Sequence, residues 1–130
     1  MVRSRGRLSR SEDFARVYRA GRSVANRYLV LYYFERPTID ASMSQSDVRV
    51  GFSVSKRLGG AVDRNRVKRV LREVFRAQSE SFREHTDYVL IARAPLVELL
   101  EEEGFQAVEA KTVEVFRKAG LVITGEEARR

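Results

Sequence analysis

The chain of 130 residues is long enough for one compact domain with a modest core, and its 43% apolar content excludes wholesale disorder. It contains no cysteine, which excludes disulfide frameworks, thiolate metal sites and cysteine nucleophiles and favours a reducing compartment. The net charge of +7 is concentrated in two segments, because residues 1–27 hold eight arginines against two acids and residues 56–76 hold eight basic residues against two acids. Two basic segments that meet in a fold are typical of a surface that binds a polyanion.

The first residues lack the apolar stretch of a secretory signal, and no later segment approaches the roughly 20 apolar residues that span a bilayer. We therefore expect a cytoplasmic, soluble protein with no membrane partner.

The first predicted element is a short helix with an aromatic face. The segment 9–12, Ser-Arg-Ser-Glu, has the spacing of a capping box, with Ser9 as the N-cap residue. Phe14, Val17 and Tyr18 then recur at helical spacing, and Gly21 is predicted to end the helix in the left-handed conformation.

Two strands follow, joined by a polar loop. Residues 28–34 are apolar on both alternating faces, which predicts an interior strand, and residues 36–47 are rich in turn formers. Residues 48–55 alternate between an apolar face and a small, polar face that contains Gly51, Ser53 and Ser55. This second face is either open to solvent or the floor of a groove.

A basic helix is predicted from Arg64, after a loop over residues 56–63. Its apolar residues form one stripe that faces a core: Val67, Val70, Leu71, Val74 and Phe75. The opposite face carries Asn65, Arg69, Arg72 and Arg76, and arginine can bind phosphates in a bidentate manner.

The remaining elements complete one domain. Residues 87–93 form a strand placed for a parallel crossover, residues 96–103 a short acidic helix, and residues 105–120 a last amphipathic helix. This order, completed by one more short strand, predicts an α+β fold, a two-layer α/β sandwich in which helices pack on a four-stranded mixed sheet. Residues 1–8 are predicted to be a basic N-terminal arm and residues 121–130 a C-terminal tail.

A catalytic site built from protein groups is not expected. Metal-assisted cleavage of a phosphodiester needs converging carboxylates, but the second basic segment holds only Asp63 and Glu73, and the side chains of Glu101–Glu103 fan around a helix. His85 is the only histidine, which excludes a pair of imidazoles. We therefore expect no catalytic residue and no metal site on the protein.

RNA is a better partner than DNA for the basic helix, because strands and a glycine loop precede it where a helix-turn-helix would have its first helix. Phe14, Tyr18, Tyr28 and Tyr32 can stack on unpaired bases if they are exposed. Periodicity alone leaves open whether these rings are exposed or form a core.

Residues 64–73, Arg-Asn-Arg-Val-Lys-Arg-Val-Leu-Arg-Glu, resemble the signature of the bacterial ribonuclease P protein subunit family. The similarity extends in order to residues 11–21, 24–27, 50–56 and 87–93, and it covers most of residues 8–120. It implies a left-handed β-α-β crossover around the basic helix, and a single RNA-binding domain of this family over residues 9–120.

The resemblance also implies a function. In this family a catalytic RNA subunit uses magnesium ions to remove the 5′ leader of precursor tRNA, and the protein is an accessory subunit that binds the leader. The partners would be the RNA subunit and precursor tRNA, with no small-molecule substrate and no cofactor bound by the protein alone. The leader-binding cleft would contain Phe14, Tyr18, Tyr32, Ser53, Ser55 and Lys56. The other RNA-binding residues would be Asn26, Arg27, Arg64, Asn65, Arg66, Lys68, Arg69, Arg72 and Arg76.

Two other functions remain open from the residues: a non-catalytic module associated with the ribosome or another RNA, and an independent metal nuclease. Cleavage of precursor tRNA only in the presence of the RNA subunit separates the family function from both.

Overall fold

A computed structural model describes residues 5–8, 10–37, 48–78, 82 and 85–120. Most of the predicted 36–47 loop and the predicted 121–130 tail lie outside these residues. The strands are β1 (Arg5–Arg7), β2 (Arg22–Ala25), β3 (Leu29–Glu35), β4 (Val48–Ser53) and β5 (Thr86–Ala92). The helices are α1 (Ser11–Ala20), α2 (Ala61–Ala77), α3 (Ala94–Glu103) and α4 (Phe105–Lys118), with a 3-10 turn at Lys56–Leu58.

The strands form one mixed sheet in the order β1-β4-β5-β3-β2. β4 is parallel to β1 and β5, whereas β3 is antiparallel to β5 and β2. The α+β class, the mixed sheet and the interior position of β3 are confirmed, as is the parallel β4-α2-β5 unit. Part of the predicted N-terminal arm is instead a fifth strand, β1, and Leu8 after it is buried in the core.

The main core lies between the sheet and the layer of α2, α3 and α4. Its centre is aromatic: the rings of Phe75 and Phe82 stack with centroids 4.2 Å apart, and Tyr88 and Phe116 pack against both. The predicted apolar stripe of α2 faces this core, because Val67, Leu71, Val74 and Phe75 are all buried.

The opposite face of the sheet carries α1, which adds a helix beyond the two layers predicted. A smaller cluster attaches it: Leu8, Val17 and Val89 are buried, and Phe14, Tyr32, Phe34 and Ile91 pack against them. The aromatic stripe of α1 therefore lies against the sheet without becoming fully buried.

The predictions made for helix ends at Ser9, Gly21 and Arg64 differ from the structure, and α3 also begins at Ala94 instead of residue 96. The predicted capping box is wrong, because Arg10 occupies the N-cap position of α1 and makes no side-chain cap hydrogen bond; Ser9 lies outside the described residues. Gly21 is extended (φ −84°, ψ 179°) rather than left-handed. Glycine is needed there for another reason, since a Cβ atom would lie 2.5 Å from the carbonyl oxygens of Tyr33 and Val17.

The third difference is at α2, which begins at Ala61 instead of Arg64. Gly59 has a φ of 145°, a conformation that favours glycine, and Gly60 takes the N-cap position, so the chain turns into the helix three residues earlier. The backbone N–H of Arg64 already donates to the carbonyl oxygen of Gly60 at 3.0 Å.

Among the described residues, no helix combines the length and the apolar character that crossing a membrane requires.

Candidate RNA-binding cleft

Three aromatic side chains that the sequence placed in a cleft come together on the α1 face of the sheet. Phe14 and Tyr18 lie one turn apart on α1, with ring centroids 6.3 Å apart, and Tyr18 meets Tyr32 of β3 edge to face at 5.0 Å. Tyr18 is 41% exposed, and the other two rings are half-buried. The cluster is therefore neither a sealed core nor a set of isolated surface rings, and it offers aromatic surface to a ligand.

Gly51 supports this cluster from below. A Cβ atom at this position would lie 2.4 Å from Cζ of Phe14 and 3.2 Å from Cβ of Leu8. The ring of Phe14 therefore occupies the space that any side chain at residue 51 would need. Gly51 is buried, so the expectation that it forms open floor of a groove is wrong: it is covered by Phe14.

The floor of the cleft is the next row of the sheet. Tyr32, Val89 and Gly51 pair across β3, β5 and β4, and two residues further along the same face Val30, Ile91 and Ser53 form a parallel row. All three residues of this second row are partly exposed. The α1 face therefore keeps an open strip of sheet beside the aromatic cluster, and Ser53 lies in that strip.

Two polar residues extend the strip past the end of β4. Ser55 is exposed, and its hydroxyl accepts the backbone N–H of Arg57 at 3.2 Å. Lys56 is exposed at the start of the 3-10 turn. A cation thus stands at the β4 end of the strip.

The Tyr18 hydroxyl of this cluster is protonated at neutral pH. Burial raises the pKa of Tyr18 above its usual value of 10.0, and the neighbouring Tyr32 raises it further. Both effects disfavour a phenolate. Tyr18 therefore meets a ligand as a neutral ring that carries one hydroxyl group.

The basic residues of α2 divide into two groups. Asn65, Arg66, Arg69 and Arg76 are exposed, whereas Arg64, Lys68 and Arg72 are partly buried. Arg64 donates from Nε to the carbonyl oxygen of Gly59 at 3.2 Å. Arg76 forms an ion pair with Glu73 on the same helix at 3.0 Å.

Arg72 departs from the prediction that it simply faces solvent. Its guanidinium lies over the ring of Phe52, 5.7 Å from the centroid, so the side chain also covers the core at the β4 edge. The helix phase is nevertheless as predicted, since the exposed residues lie opposite the buried stripe.

Asn26 has a structural role that the sequence did not reveal. Its Nδ2 donates to the carbonyl oxygen of Lys111 and to Oε1 of Glu114, both at 2.9 Å. Its Oδ1 accepts the backbone N–H groups of Tyr28 and Leu29. The side chain thus uses both hydrogens and both lone pairs within the protein, and it ties the β2-β3 turn to α4 instead of presenting free groups to RNA. Arg27 beside it is exposed, with its guanidinium 5.9 Å from the centre of the Tyr28 ring.

Sequence reasoning missed a chain of ion pairs on the α1 face. Asp87 is fully buried in β5 and accepts hydrogen bonds from Arg36 at 2.6 Å and from Arg49 at 2.8 and 2.7 Å. Arg49 also approaches Asp13 of α1 at 3.7 Å, and Asp13 binds Arg16 at 2.6 Å. The signal in the sequence was an aspartate at the start of an otherwise apolar strand, since a buried carboxylate requires partners.

Over the described ranges, no three acidic or imidazole side chains are grouped closely enough to hold a metal ion. The carboxylates of Asp13 and Asp87 are held by arginines, and Glu101, Glu102 and Glu103 are exposed at the end of α3. The described surfaces instead present exposed aromatic rings and cations, which are groups that bind RNA.

A mixed sheet with an aromatic cleft on one face and a basic helix on the other defines a small α+β RNA-binding protein. The family model described as ribonuclease P matches residues 2–120. The ribonuclease P protein component of Bacillus pumilus (strain SAFR-032) is 38% identical over 120 residues, covering 92% of this chain and 92% of that protein. The corresponding protein of Geobacillus thermodenitrificans (strain NG80-2) is 40% identical over 119 residues, covering 92% of this chain and 90% of the other.

Solved structures agree with these sequence matches. The RNase P protein of Staphylococcus aureus superposes with a TM-score of 0.75 at 34% identity, covering 89% of this chain and 96% of that chain. The RNase P protein of Thermotoga maritima gives 0.74 at 28% identity, covering 86% and 96%. The chain belongs to the ribonuclease P protein family, whose role is the processing of precursor tRNA together with an RNA subunit.

Proposed function

We propose that this chain holds the single-stranded 5′ leader of precursor tRNA in the cleft on the α1 face, while the exposed cations of α2 bind the catalytic RNA subunit. The observation that carries the proposal is the cluster of Phe14, Tyr18 and Tyr32 beside an open strip of sheet. A single strand needs aromatic rings on which its bases can stack, and it also needs space for its backbone. The cleft supplies the rings and the space.

The cleft favours unpaired RNA over a duplex. Stacking on a side chain requires a base whose faces are free, and the bases of a leader meet that requirement while those of a tRNA stem do not. Lys56 at the β4 end of the strip is placed to neutralise a backbone phosphate. Because aromatic stacking tolerates every base, the cleft accepts leaders of many sequences.

The exposed face of α2 lies on a different surface, because the helix packs against the sheet face opposite α1. Asn65, Arg66 and Arg69 follow one another along it without an intervening acid, and arginine binds phosphates through two parallel hydrogen bonds. The leader and the RNA subunit can therefore occupy the protein simultaneously.

We assign the cleavage chemistry to the RNA subunit and its magnesium ions, and we place the complex in the cytoplasm. The arginine-bound state of Asp13 and Asp87 supports this division, since carboxylates in such pairs are poorly placed to bind a metal ion or to activate water. The protein then contributes affinity for the leader.

The test compares the complex of protein and RNA subunit with two ligands, precursor tRNA and mature tRNA. Phe14→Ala and Tyr32→Ala are expected to weaken precursor binding about 5- to 150-fold, since one base stack is worth roughly 1–3 kcal/mol. Mature tRNA, which has no leader, should bind as before. Thermal unfolding of each variant shows whether the protein is folded in the assay.

Three results would contradict the proposal. If a folded variant bound precursor tRNA and mature tRNA with equally reduced affinity, the leader would not be the ligand of the cleft. Cleavage of precursor tRNA by the protein without the RNA subunit would place the chemistry on the protein, and RNA binding with no effect of the subunit would favour a general RNA-binding module.

A further inference from the structure

We infer that Asp13, Arg49 and Asp87 are positioning residues for the leader cleft, which set the placement of α1 on the sheet and so hold Phe14 where a base can stack. This inference rests on the proposed role of the cleft. It assigns a leader-selecting role to charged side chains that themselves contact no RNA.

The network begins at a buried carboxylate. Asp87 is 0% exposed, and its Oδ1 accepts Arg36 Nη1 at 2.6 Å. Arg49 donates from Nε to Oδ1 at 2.8 Å and from Nη2 to Oδ2 at 2.7 Å. Such a two-point contact fixes the plane of the guanidinium as well as its position.

With its plane fixed in this way, Arg49 also reaches α1. Its Nη1 lies 3.7 Å from Oδ2 of Asp13. The other carboxylate oxygen of Asp13 accepts Arg16 at 2.6 Å, one turn along the same helix. The first turn of α1 is thus connected to β4 and β5 through groups whose orientation is determined by a buried anchor.

The ion pair and the cleft use the same two segments. Asp13 precedes Phe14 on α1, and Arg49 lies two residues before Gly51 on the same face of β4. Phe14 rests on Gly51 so closely that a Cβ atom there would lie 2.4 Å from the ring. A small shift of α1 relative to β4 would therefore move the Phe14 ring away from its contact with Gly51.

The apolar attachment of α1 does not determine this placement by itself. In the part of the chain that the structure describes, its fully buried members are Leu8, Val17 and Val89, with partly buried residues packed against them, and apolar contacts are non-directional. The hydrogen bonds from Arg49 to Asp87 have a defined geometry and fix the guanidinium, whose charge then attracts the Asp13 carboxylate across 3.7 Å and favours one placement of α1 among several of similar apolar burial. We therefore assign attachment to the apolar cluster and orientation to the network.

A double-mutant cycle tests the inference in the complex of the full-length protein with the RNA subunit. Asp13→Asn, Phe14→Ala and the double variant are compared by the ratio of precursor to mature tRNA affinity. Asp13→Asn is expected to lower this ratio about 3- to 30-fold, a typical coupling between residues of one network. In the Phe14→Ala background the same change should have almost no further effect, because it acts through that ring.

Arg49→Lys provides a second, independent variant. Lysine keeps the charge but cannot form the two-point contact that orients the guanidinium. We expect it to lower the precursor-to-mature ratio as Asp13→Asn does, and it carries the test if Asp13→Asn does not fold. Leu99→Ala is the matched control: it removes a buried side chain of α3, on the other side of the sheet, and should lower the melting temperature without changing the ratio.

The outcomes separate this inference from the proposed function. If Phe14→Ala loses leader selectivity while Asp13→Asn and Arg49→Lys keep it, the cleft binds the leader but the network does not position it. Additive losses in the double variant would also overturn the inference, because Asp13 would then act independently of Phe14. If Phe14→Ala itself keeps full selectivity, the proposed function is the part that fails.

Discussion

The two faces of the sheet are built differently. The face toward α2, α3 and α4 is closed by a continuous core in which Phe75, Phe82, Tyr88 and Phe116 pack ring against ring. The face toward α1 has a smaller cluster, in which three of the described residues are fully buried; ion pairs supplement it, and aromatic and aliphatic surface stays open. One face stabilises the fold, and the other uses part of its apolar surface for a ligand. The comparison teaches that aromatic content alone does not locate the core of this protein.

Phe75→Ala should produce the largest effect and should affect the closed face alone. Removing this buried ring is expected to cost about 3–5 kcal/mol in the free energy of unfolding. Chemical denaturation measures the loss, and binding by the remaining folded protein should keep its preference for precursor tRNA. A changed preference would mean that the two faces are not independent.

Gly51→Ala should act on the α1 face and should change leader binding as well as stability. The new methyl group would displace the ring of Phe14, at a cost of about 1–3 kcal/mol for overpacking, and weaken precursor binding roughly tenfold. Gly60→Ala is the matched control, since no atom lies within 4 Å of its added Cβ atom. Titration of labelled precursor tRNA with each variant measures the two affinities. Equal affinities would show that the Phe14 ring does not depend on the space at Gly51.

Arg69→Ala and Arg72→Ala sharpen the comparison at the basic helix. Each should weaken binding to the RNA subunit by about 1 kcal/mol and make it less dependent on salt, because each removes one phosphate contact. Arg72→Ala should also lower stability by about 0.5–1 kcal/mol, since its guanidinium covers Phe52. Binding measured over a salt series, together with thermal melts, distinguishes the two arginines. An equal loss of stability in both variants would contradict the different exposure of these side chains.

The smallest expected effect concerns pH. Because burial raises the pKa of Tyr18 above 10.0, the folded state holds this proton more tightly than the unfolded state. The stability contributed by the protonated hydroxyl is complete below about pH 10 and declines as the pH rises further. Leader binding should therefore be insensitive to Tyr18 ionisation between pH 6 and about pH 9, and Tyr18→Phe should follow the same profile over that range. A difference between the two profiles near neutral pH would show that the phenol ionises much earlier.

The sequence predicted the four helices and the strands β3, β4 and β5 because these depend on periodicity, whereas the role of Phe14, Tyr18 and Tyr32 in a cleft came from the resemblance to a known family and stays a prediction. Val67, Leu71, Val74 and Phe75 repeat at helical spacing, so the buried side of α2 followed directly. The exposure of Tyr18 did not follow, since the same stripe also fits a sealed core. Only the placement of α1 across the sheet decides between those interpretations.

The features that sequence reasoning missed involve partners distant in the chain. Nothing adjacent to Asn26 indicates that its amide binds α4, and nothing near Asp87 names Arg36 and Arg49 as its partners. Gly21 was correctly identified as a special position but for the wrong reason, because the constraint comes from the Tyr33 carbonyl on a neighbouring strand. Such constraints become visible only when the chain is folded.

The hydrogen bonds of Asn26 bear on the order in which the chain folds during synthesis. They join residues 85 and 88 positions apart, and Lys118 reaches the carbonyl oxygen of Ala25 across 93 positions. Contacts of such long separation form only after the entropy of closing a large loop has been overcome. Arg93 can bind the carbonyl oxygens of Asn26 and Tyr28 earlier, but the contacts of the β2-β3 turn with α4 form only after α4 has left the ribosome. The turn therefore acquires its full set of partners only when nearly the whole domain has been made.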